Sequence, residues 1–439
     1  MVIPQKVLSL NVLYVDCTFA CGTVSADGLD ILKNVYRLII AYLDSTCKFI
    51  KEVDIFSTNM MKYCHLNYLC SQELQHKIMK RFIALVILAV TATAISAQDI
   101  NYVFTEASDL TLIGKLHPDT PNPYHRVDTV KYTGFTKGEN RQVRSSAGIA
   151  VVFRTNSSTI SVKPEYGYTN HASNTMGIAL RGFDLYIKKD GKWLFAAAKA
   201  PSSKDMDKNL VLIKNLPEGD KECMIHLPIY SELYSLGIGV EEGANLEAIE
   251  SPFRHRVGIF GSSFTHGIST SRPGLSYPMQ LTRWTGIQFL SLGCSGNCKM
   301  QPYFGEVLCD AEVDALVFDS FSNPNAKMIK ERLFPFIEQI QAAHPDIPLI
   351  FQQTIRRESR NFDMIREKKE REKQEMAAKL MKEACKKYKN VYFIQTTDAA
   401  DPLHETSVDG THPDDYGYTL WAKSIQKPLL RILRKYKIQ

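Results

Sequence analysis

From about residue 254 to its end, the chain alternates short, uninterrupted apolar runs with helical stretches. The runs are residues 257–260, 289–292, 315–318, 349–351 and 391–394; the clearest helical stretches are 327–343, 362–388 and 416–435. A strand with one wet face alternates apolar and polar residues, whereas a strand apolar throughout must be covered on both faces. Short buried strands separated by helices therefore predict a parallel sheet between two helical layers. Ligands of such sheets bind in the loops at the carboxyl ends of the strands.

The preceding residues, about 99 to 250, have a different rhythm. Gly148-Ile149-Ala150-Val151-Val152-Phe153 and Thr159-Ile160-Ser161-Val162 flank the turn residues Asn156-Ser157-Ser158. Asp184-Leu185-Tyr186-Ile187 and Lys192-Trp193-Leu194-Phe195 flank Lys189-Asp190-Gly191, a hairpin signal. Leu210-Val211-Leu212-Ile213 and Met224-Ile225-His226-Leu227 follow, and no long amphipathic helix intervenes. Short strands at this spacing predict an all-β sandwich over 98–250, with Ser251-Pro252 opening a second domain over 251–439.

Upstream, Met79-Lys80-Arg81 precedes the apolar residues 82–90 and the small residues Thr91-Ala92-Thr93-Ala94-Ile95-Ser96-Ala97. A basic start, a short apolar run and small residues before a polar Gln98-Asp99 make a secretory signal over 79–97, too short to span a membrane. Such signals work at an N-terminus. We therefore expect translation to begin at Met79, residues 1–78 to be an upstream over-extension, and the mature chain to be secreted or periplasmic without a stable membrane anchor. The alternative is a genuine N-terminal domain followed by a buried helix.

The 439-residue chain carries a formal charge of +6 without a dense basic stripe, so nucleic-acid binding is not expected. The cysteines form no Cys/His metal motif. Cys294 and Cys298 are spaced C-x3-C without histidine partners, so buried free thiols are the default and a disulfide between them the alternative. We expect no metal and no cofactor.

Two stretches carry chemistry. Gly261-Ser262-Ser263-Phe264-Thr265-His266-Gly267 follows the first apolar run directly, which puts a serine on a sharp strand-to-helix turn. Alone, it also fits a Ser/Gly-rich turn or a phosphate cradle. Asp409-Gly410-Thr411-His412-Pro413 places a carboxylate and an imidazole three residues apart on one loop, close enough to hydrogen-bond. Alone, it also fits a structured surface turn. Together, at the carboxyl ends of one sheet, they point to a Ser-His-Asp triad. His266 and His404 are the other candidate imidazoles. Both fit surface or packing roles better, although His266 sits where it could line a pocket.

These residues resemble the SGNH (GDSL-type) hydrolase family from about 254 onward, with its four sequence blocks in order. Gly261-Ser262-Ser263 resembles the nucleophile block, with Ser262 in place of the family's usual Asp. Leu292-Gly293-Cys294-Ser295-Gly296-Asn297 resembles the second block, and Asp319-Ser320-Phe321-Ser322-Asn323-Pro324 stands at the third, where Asn325 competes with Asn323. Asp409-Gly410-Thr411-His412-Pro413 matches the fourth. Gly182-Phe183-Asp184-Leu185-Tyr186 resembles the GxDLY module that precedes such domains in exported bacterial proteins. The α/β-hydrolase elbow Gly-x-Ser-x-Gly fits less well, because Thr265 stands at its last position.

The resemblance implies a flavodoxin-like, three-layer α/β hydrolase domain behind an all-β sandwich. It also implies Ser263 as nucleophile, His412 as base, Asp409 as orienting acid, and an oxyanion hole of the Ser263 and Gly296 N–H groups with the Asn323 amide. A serine esterase acting on short acyl esters of carbohydrate is expected. The alternatives are a lipase or lysophospholipase and an inactive glycan-binding protein. Oligomeric state has no sequence signal.

Overall fold

The computed structural model describes residues 100–395 and 401–439; the expected leader 1–78 and export signal 79–97 lie outside them. Ten strands, all antiparallel, come first. β1 (Tyr102–Glu106), β2 (Thr111–Ile113), β3 (Ala150–Thr155), β4 (Ile160–Tyr166), β5 (Phe183–Lys189), β6 (Lys192–Lys199), β7 (Leu210–Ile213), β8 (Lys221–His226), β9 (Leu233–Glu241) and β10 (Leu246–Ala248) form two sheets. One has the order β1-β9-β4-β7, the other β10-β3-β8-β5-β6 with β2 beside β3. Side chains from both sheets, among them Phe153, Ile160, Val162, Phe183, Ile225 and Ile238, meet in a buried core. Each is worth about 1.5–3 kcal/mol of transfer free energy when fully buried.

β9 was not legible as a strand, because Gly237 and Gly239 interrupt its apolar pattern. A Cβ on Gly239 would stand 2.3 Å from the Ser161 hydroxyl and 2.6 Å from the Phe104 ring, so the neighbours occupy the space a side chain would need. Two short helices lie between the strands: α1 (Lys137–Val143), closed by a Thr136/Glu139 capping box, and α2 (Gly177–Arg181).

The second half contains α3 (Ser263–His266), α4 (Tyr277–Thr285), α5 (Pro302–Cys309), α6 (Ala326–Ala343), α7 (Met364–Lys387) and α8 (Asp415–Arg434). They flank the strands β11 (Arg256–Gly261), β12 (Gln288–Gly293), β13 (Ala315–Asp319), β14 (Leu349–Gln352) and β15 (Val391–Ile394). These strands are parallel, in the order β12-β11-β13-β14-β15. The first strand lies between the second and third, so the order reverses at β11 and opens a crevice at its carboxyl end. This is the flavodoxin-like order, behind an antiparallel sandwich. One layer packs Phe260, Phe304, Phe318 and Phe336 together, and the other packs Val257, Tyr277, Trp421 and Ile425. Among the described residues no helix is long and apolar enough to cross a membrane.

The two halves interlock. The chain between β2 and β3 inserts Leu116, Val127, Tyr132 and Val143 into the core around Phe260 and Leu290. Asp184, from the GxDLY stretch, is fully buried and accepts hydrogen bonds from Arg272 (2.8 Å) and the Gly274 N–H (2.9 Å), in the segment joining α3 to α4. Arg272 also stacks on the Phe195 ring at 4.1 Å, and Arg283 on Tyr186 at 4.2 Å.

Candidate active site

Every candidate residue lies at the carboxyl end of the parallel sheet or in the loop leading into α8. β11 ends at Gly261, and Ser262 caps α3 by accepting from the Phe264 N–H (3.2 Å). Below that cap lies a buried carboxylate. Asp319, the last residue of β13, accepts from the Ser262 N–H (3.0 Å), the Ser262 hydroxyl (2.7 Å) and the Thr265 hydroxyl (3.1 Å) through Oδ2, and from Ser322 (3.0 Å) through Oδ1. Burial pushes this carboxyl up from its ordinary value against the pull of those donors. The turn therefore rests on a carboxylate from another strand, bound to Ser262 through both its N–H and its hydroxyl.

The turn also needs room. A Cβ on Gly293 would stand 2.1 Å from the His266 backbone nitrogen, so only glycine lets the end of β12 lie this close to α3. Phe264 is buried and meets Trp421 of α8 edge-on at 5.5 Å between ring centres. The His412 ring lies 5.8 Å from it, and the Arg357 guanidinium 5.7 Å over its face. Thus the residue after Ser263 is the packing contact that brings the imidazole toward the turn. Among the described residues, no hydrogen bond joins the Ser263 hydroxyl to His412 Nε2.

Asp409 and His412 are joined as their spacing suggests. Asp409 Oδ2 is 2.8 Å from His412 Nδ1, and Oδ1 accepts from the backbone N–H groups of Thr411 (2.9 Å) and His412 (2.8 Å). An ionised carboxylate only accepts, so Nδ1 carries the proton and Nε2 is left as the basic nitrogen of the neutral ring. Partial burial opposes the charge on Asp409, but the bonds from His412, Asn174 and the two backbone N–H groups prevail and hold the carboxyl well below the usual range. The loop is closed by the Ser407 to Pro413 bridge and by Val408 N–H on the His412 carbonyl (3.0 Å). From α7, Arg366 reaches Thr411 at 2.9 Å.

Gly296 stands in the turn after β12 with φ +73°, a left-handed conformation that favours glycine, and the space where a Cβ would sit is open. Asn323 Oδ1 accepts from the Cys298 N–H at 3.1 Å, which turns its Nδ2 donors the other way. Asn325 is instead the N-cap of α6, accepting from Met328 N–H at 2.9 Å, so its side-chain acceptor is already committed. Cys294 and Cys298 are buried free thiols, and Cys298 Sγ contacts the Asp319 carbonyl (3.5 Å) and the Ser320 hydroxyl (3.4 Å).

His266 does not line a cleft; it is a buried link between the halves. Its Nε2 lies 2.7 Å from the Ile229 carbonyl, which can only accept, so Nε2 bears the proton. Nδ1 then accepts from the Ser295 hydroxyl at 3.3 Å, and Ser295 in turn accepts from the Tyr230 hydroxyl. The chain Tyr230 to Ser295 to His266 anchors the residue before Gly296. Gln142 Nε2 donates a hydrogen bond to the Ser295 carbonyl (3.0 Å), and the buried Arg126 guanidinium donates to the Gly293 carbonyl (3.0 Å). His404 pairs with Glu358 at 2.7 Å on the surface rather than with Asp409.

Burial, reinforced by Arg126, holds His266 well below the ordinary imidazole value, and burial with Arg283 and Arg272 does the same for His226. Both stay neutral in the native protein while the unfolded chain takes up their protons below about pH 6.5. Their stabilisation is fully present above that pH and is lost as pH falls toward the folded values. Denaturant unfolding at pH 7.5 and 5.5 is expected to show stability falling in acid, with a slope of up to about 1.4 kcal/mol per pH unit from each histidine. Equal or greater stability at pH 5.5 would contradict this.

Asp319 was visible in the sequence only as a member of a motif, and its place under the Ser263 turn had no signal there. Gln142, Arg126, Tyr230 and Asn174 had none either: they sit in the antiparallel half, remote in sequence from the loops they touch. Spatial pairing alone identifies them.

Residues 254–430 match the GDSL-like lipase/acylhydrolase family, and residues 100–246 match the N-terminal module of SGNH-hydrolase-type esterases. A crystal structure from Bacteroides ovatus ATCC 8483, described as a GDSL-like lipase, is similar at 37% identity and TM-score 0.74, covering 76% of this chain and 98% of its own. The salicylyl-acyltransferase SsfX3 from a tetracycline biosynthetic pathway shares the fold at 20% identity and TM-score 0.59, covering 78% of this chain and all (100%) of its own. A family two carbohydrate esterase from Cellvibrio japonicus does so at 12% identity and TM-score 0.52, covering 76% and 99%. None of the curated proteins matches the chain.

Proposed function

The chain belongs to the GDSL-like lipase/acylhydrolase family, and from that premise we propose that it is an exported serine esterase that removes short acyl groups, acetyl foremost, from carbohydrate esters. The observation that carries the chemistry is the Asp409–His412 pair, with its proton on Nδ1, standing edge-on to Phe264 beside the Ser263 turn. Ser263 attacks the ester carbonyl as Nε2 of His412 takes its proton, the Oγ to Nε2 bond closing as substrate seats. Asp409 orients the ring and stabilises the imidazolium. The oxyanion is received by the N–H groups of Ser263 and Gly296 and by Asn323 Nδ2, and each such donor is worth on the order of 10²–10³ in rate. His412 then protonates the leaving alkoxide, and water repeats the sequence to free the acid. No step calls for a metal.

Two features support a short acyl group on a sugar. Polar side chains bond to the functional loops: Gln142 and Asn297 beside Gly296, and Asn174 on Asp409. Such a rim offers hydrogen bonds to hydroxyls and little apolar surface, whereas each buried methylene of an acyl chain is worth about 0.8 kcal/mol. The signal-like stretch over 79–97 supports export, where polymeric carbohydrate esters are met.

A second reading, hydrolysis of longer-chain lipid esters, is favoured by one observation. Phe362 (95% exposed) and Leu403 (76% exposed) border a recess of about 600 Å³ reaching Gly410, and Met364 and Ile365 are exposed nearby in sequence. A series of p-nitrophenyl esters from acetyl to decanoyl, together with acetylated polysaccharides, separates the two. Acetyl is expected to turn over fastest, with a steep decline as the chain lengthens. A preference for octanoyl or longer would replace the carbohydrate reading with the lipid one.

A further inference from the structure

We propose that the antiparallel half completes the catalytic centre through Asn174, a positioning residue that holds the Asp409 carboxylate. This rests on the triad reading above and extends it to a residue 235 positions away. Asn174 lies in the segment between β4 and α2. Its Nδ2 donates to Asp409 Oδ2 at 2.8 Å, the same oxygen that faces His412 Nδ1.

The orientation of that amide is determined by its partners. Asn174 Oδ1 accepts from the Thr175 hydroxyl at 3.3 Å, and Thr175 Oγ1 accepts from the Ser269 N–H at 2.9 Å. Ser269 follows the nucleophile helix α3 and is held at φ +68°, a conformation a serine rarely adopts. A continuous relay therefore runs from the segment after Ser263, through the antiparallel half, to the acid of the triad. It couples the two loops that must stay in register for the nucleophile and base to meet. A 1 Å error in such a register costs orders of magnitude in rate, so a remote anchor of this kind acts on kcat.

The titratable and charged groups packed around the Asp409 loop include His412 within it, Arg366 of α7 on Thr411, Glu358 on Thr406 and His404, and Arg357 over the Phe264 ring that faces His412. A carboxylate at position 174 would add a negative charge directly beside Asp409 and favour the protonated imidazole.

The experiment compares the full chain with Asn174→Ala, Asn174→Asp and Ser263→Ala on p-nitrophenyl acetate, with melting temperatures for each. Asn174 is only half-buried in a surface segment, so the melting temperatures of its variants are expected to stay close to that of the unmodified protein. Asn174→Ala is expected to lower kcat about tenfold, equivalent to about 1.4 kcal/mol, with KM within about twofold. Asn174→Asp, of the same shape, is expected to lose more and to move the acid limb of the kcat/KM profile to higher pH. Full kcat in Asn174→Ala, or an unmoved acid limb in Asn174→Asp, overturns the positioning role while an inactive Ser263→Ala leaves the triad standing. Activity retained by Ser263→Ala overturns both.

Discussion

Ser263→Ala is expected to abolish esterase turnover, reducing kcat by about 10⁴–10⁶ while the protein melts normally. Among the described residues the Ser263 hydroxyl makes no hydrogen bond, and the turn is held on Asp319 by Ser262, so removal of the hydroxyl leaves the turn intact. His412→Ala should cost a similar factor, because the serine is a poor nucleophile without a base. The double variant should be little worse than either single one, since the two act as a unit. Asp409→Asn should retain the shape of the loop yet lose on the order of 10³–10⁴, because an amide cannot hold the proton on Nδ1 or stabilise the imidazolium equally. Initial rates on p-nitrophenyl acetate with active-site-independent protein quantification would decide this. Near-normal turnover by Ser263→Ala or His412→Ala removes the triad from consideration.

Asp319→Ala is expected to reduce both stability and activity, in contrast to the triad variants. Its carboxylate is the shared acceptor of the Ser262 N–H and of hydroxyls from Ser262, Thr265 and Ser322, all buried. Removing it strands those donors, and each unsatisfied buried group costs about 1–3 kcal/mol before any relaxation. The network extends further, because Tyr277 contacts Thr265 at 2.9 Å and receives Gln352 Nε2 at 2.9 Å. A loss of about 2–4 kcal/mol is expected, the cost of several unsatisfied buried donors once the Thr265 and Ser322 hydroxyls turn to Tyr277 and Thr354. Thermal melting should show a fall of roughly 3–6 °C. Turnover at low temperature should fall too, since the turn that aims Ser263 loses its support. Asp319→Asn keeps an acceptor oxygen but directs an amide N–H at the same donors, so it should fall between the two. A melting temperature unchanged in Asp319→Ala would show that the turn stands without this carboxylate.

Much of the architecture could be read locally. The strands β11 to β15 are short and apolar throughout, and burial on both faces leaves them no other pattern, so their composition alone placed them in a covered parallel sheet. The Asp409–His412 pairing was equally local, because three residues of loop bring the groups within reach whatever else the chain does. What failed locally were β9, with glycines where neighbouring side chains fill the space, and the short helices α4 and α5, which carry too few turns for periodicity to show.

The site divides along the same line. Ser263, His412, Asp409 and Gly296 were named from motifs in which neighbours in sequence are neighbours in space. The surroundings of Asn323 and Asn325 needed the tertiary structure, because only it shows the Asn323 amide oxygen bound to the Cys298 N–H and the Asn325 amide oxygen capping a helix. Likewise Asp319, Tyr230, His266 and Asn174 act through bonds to residues far along the chain, and hydrogen-bond partners at such separations leave no periodic trace in a single sequence. Local sequence determined which groups could do chemistry; long-range packing of one half against the other decided how they are held.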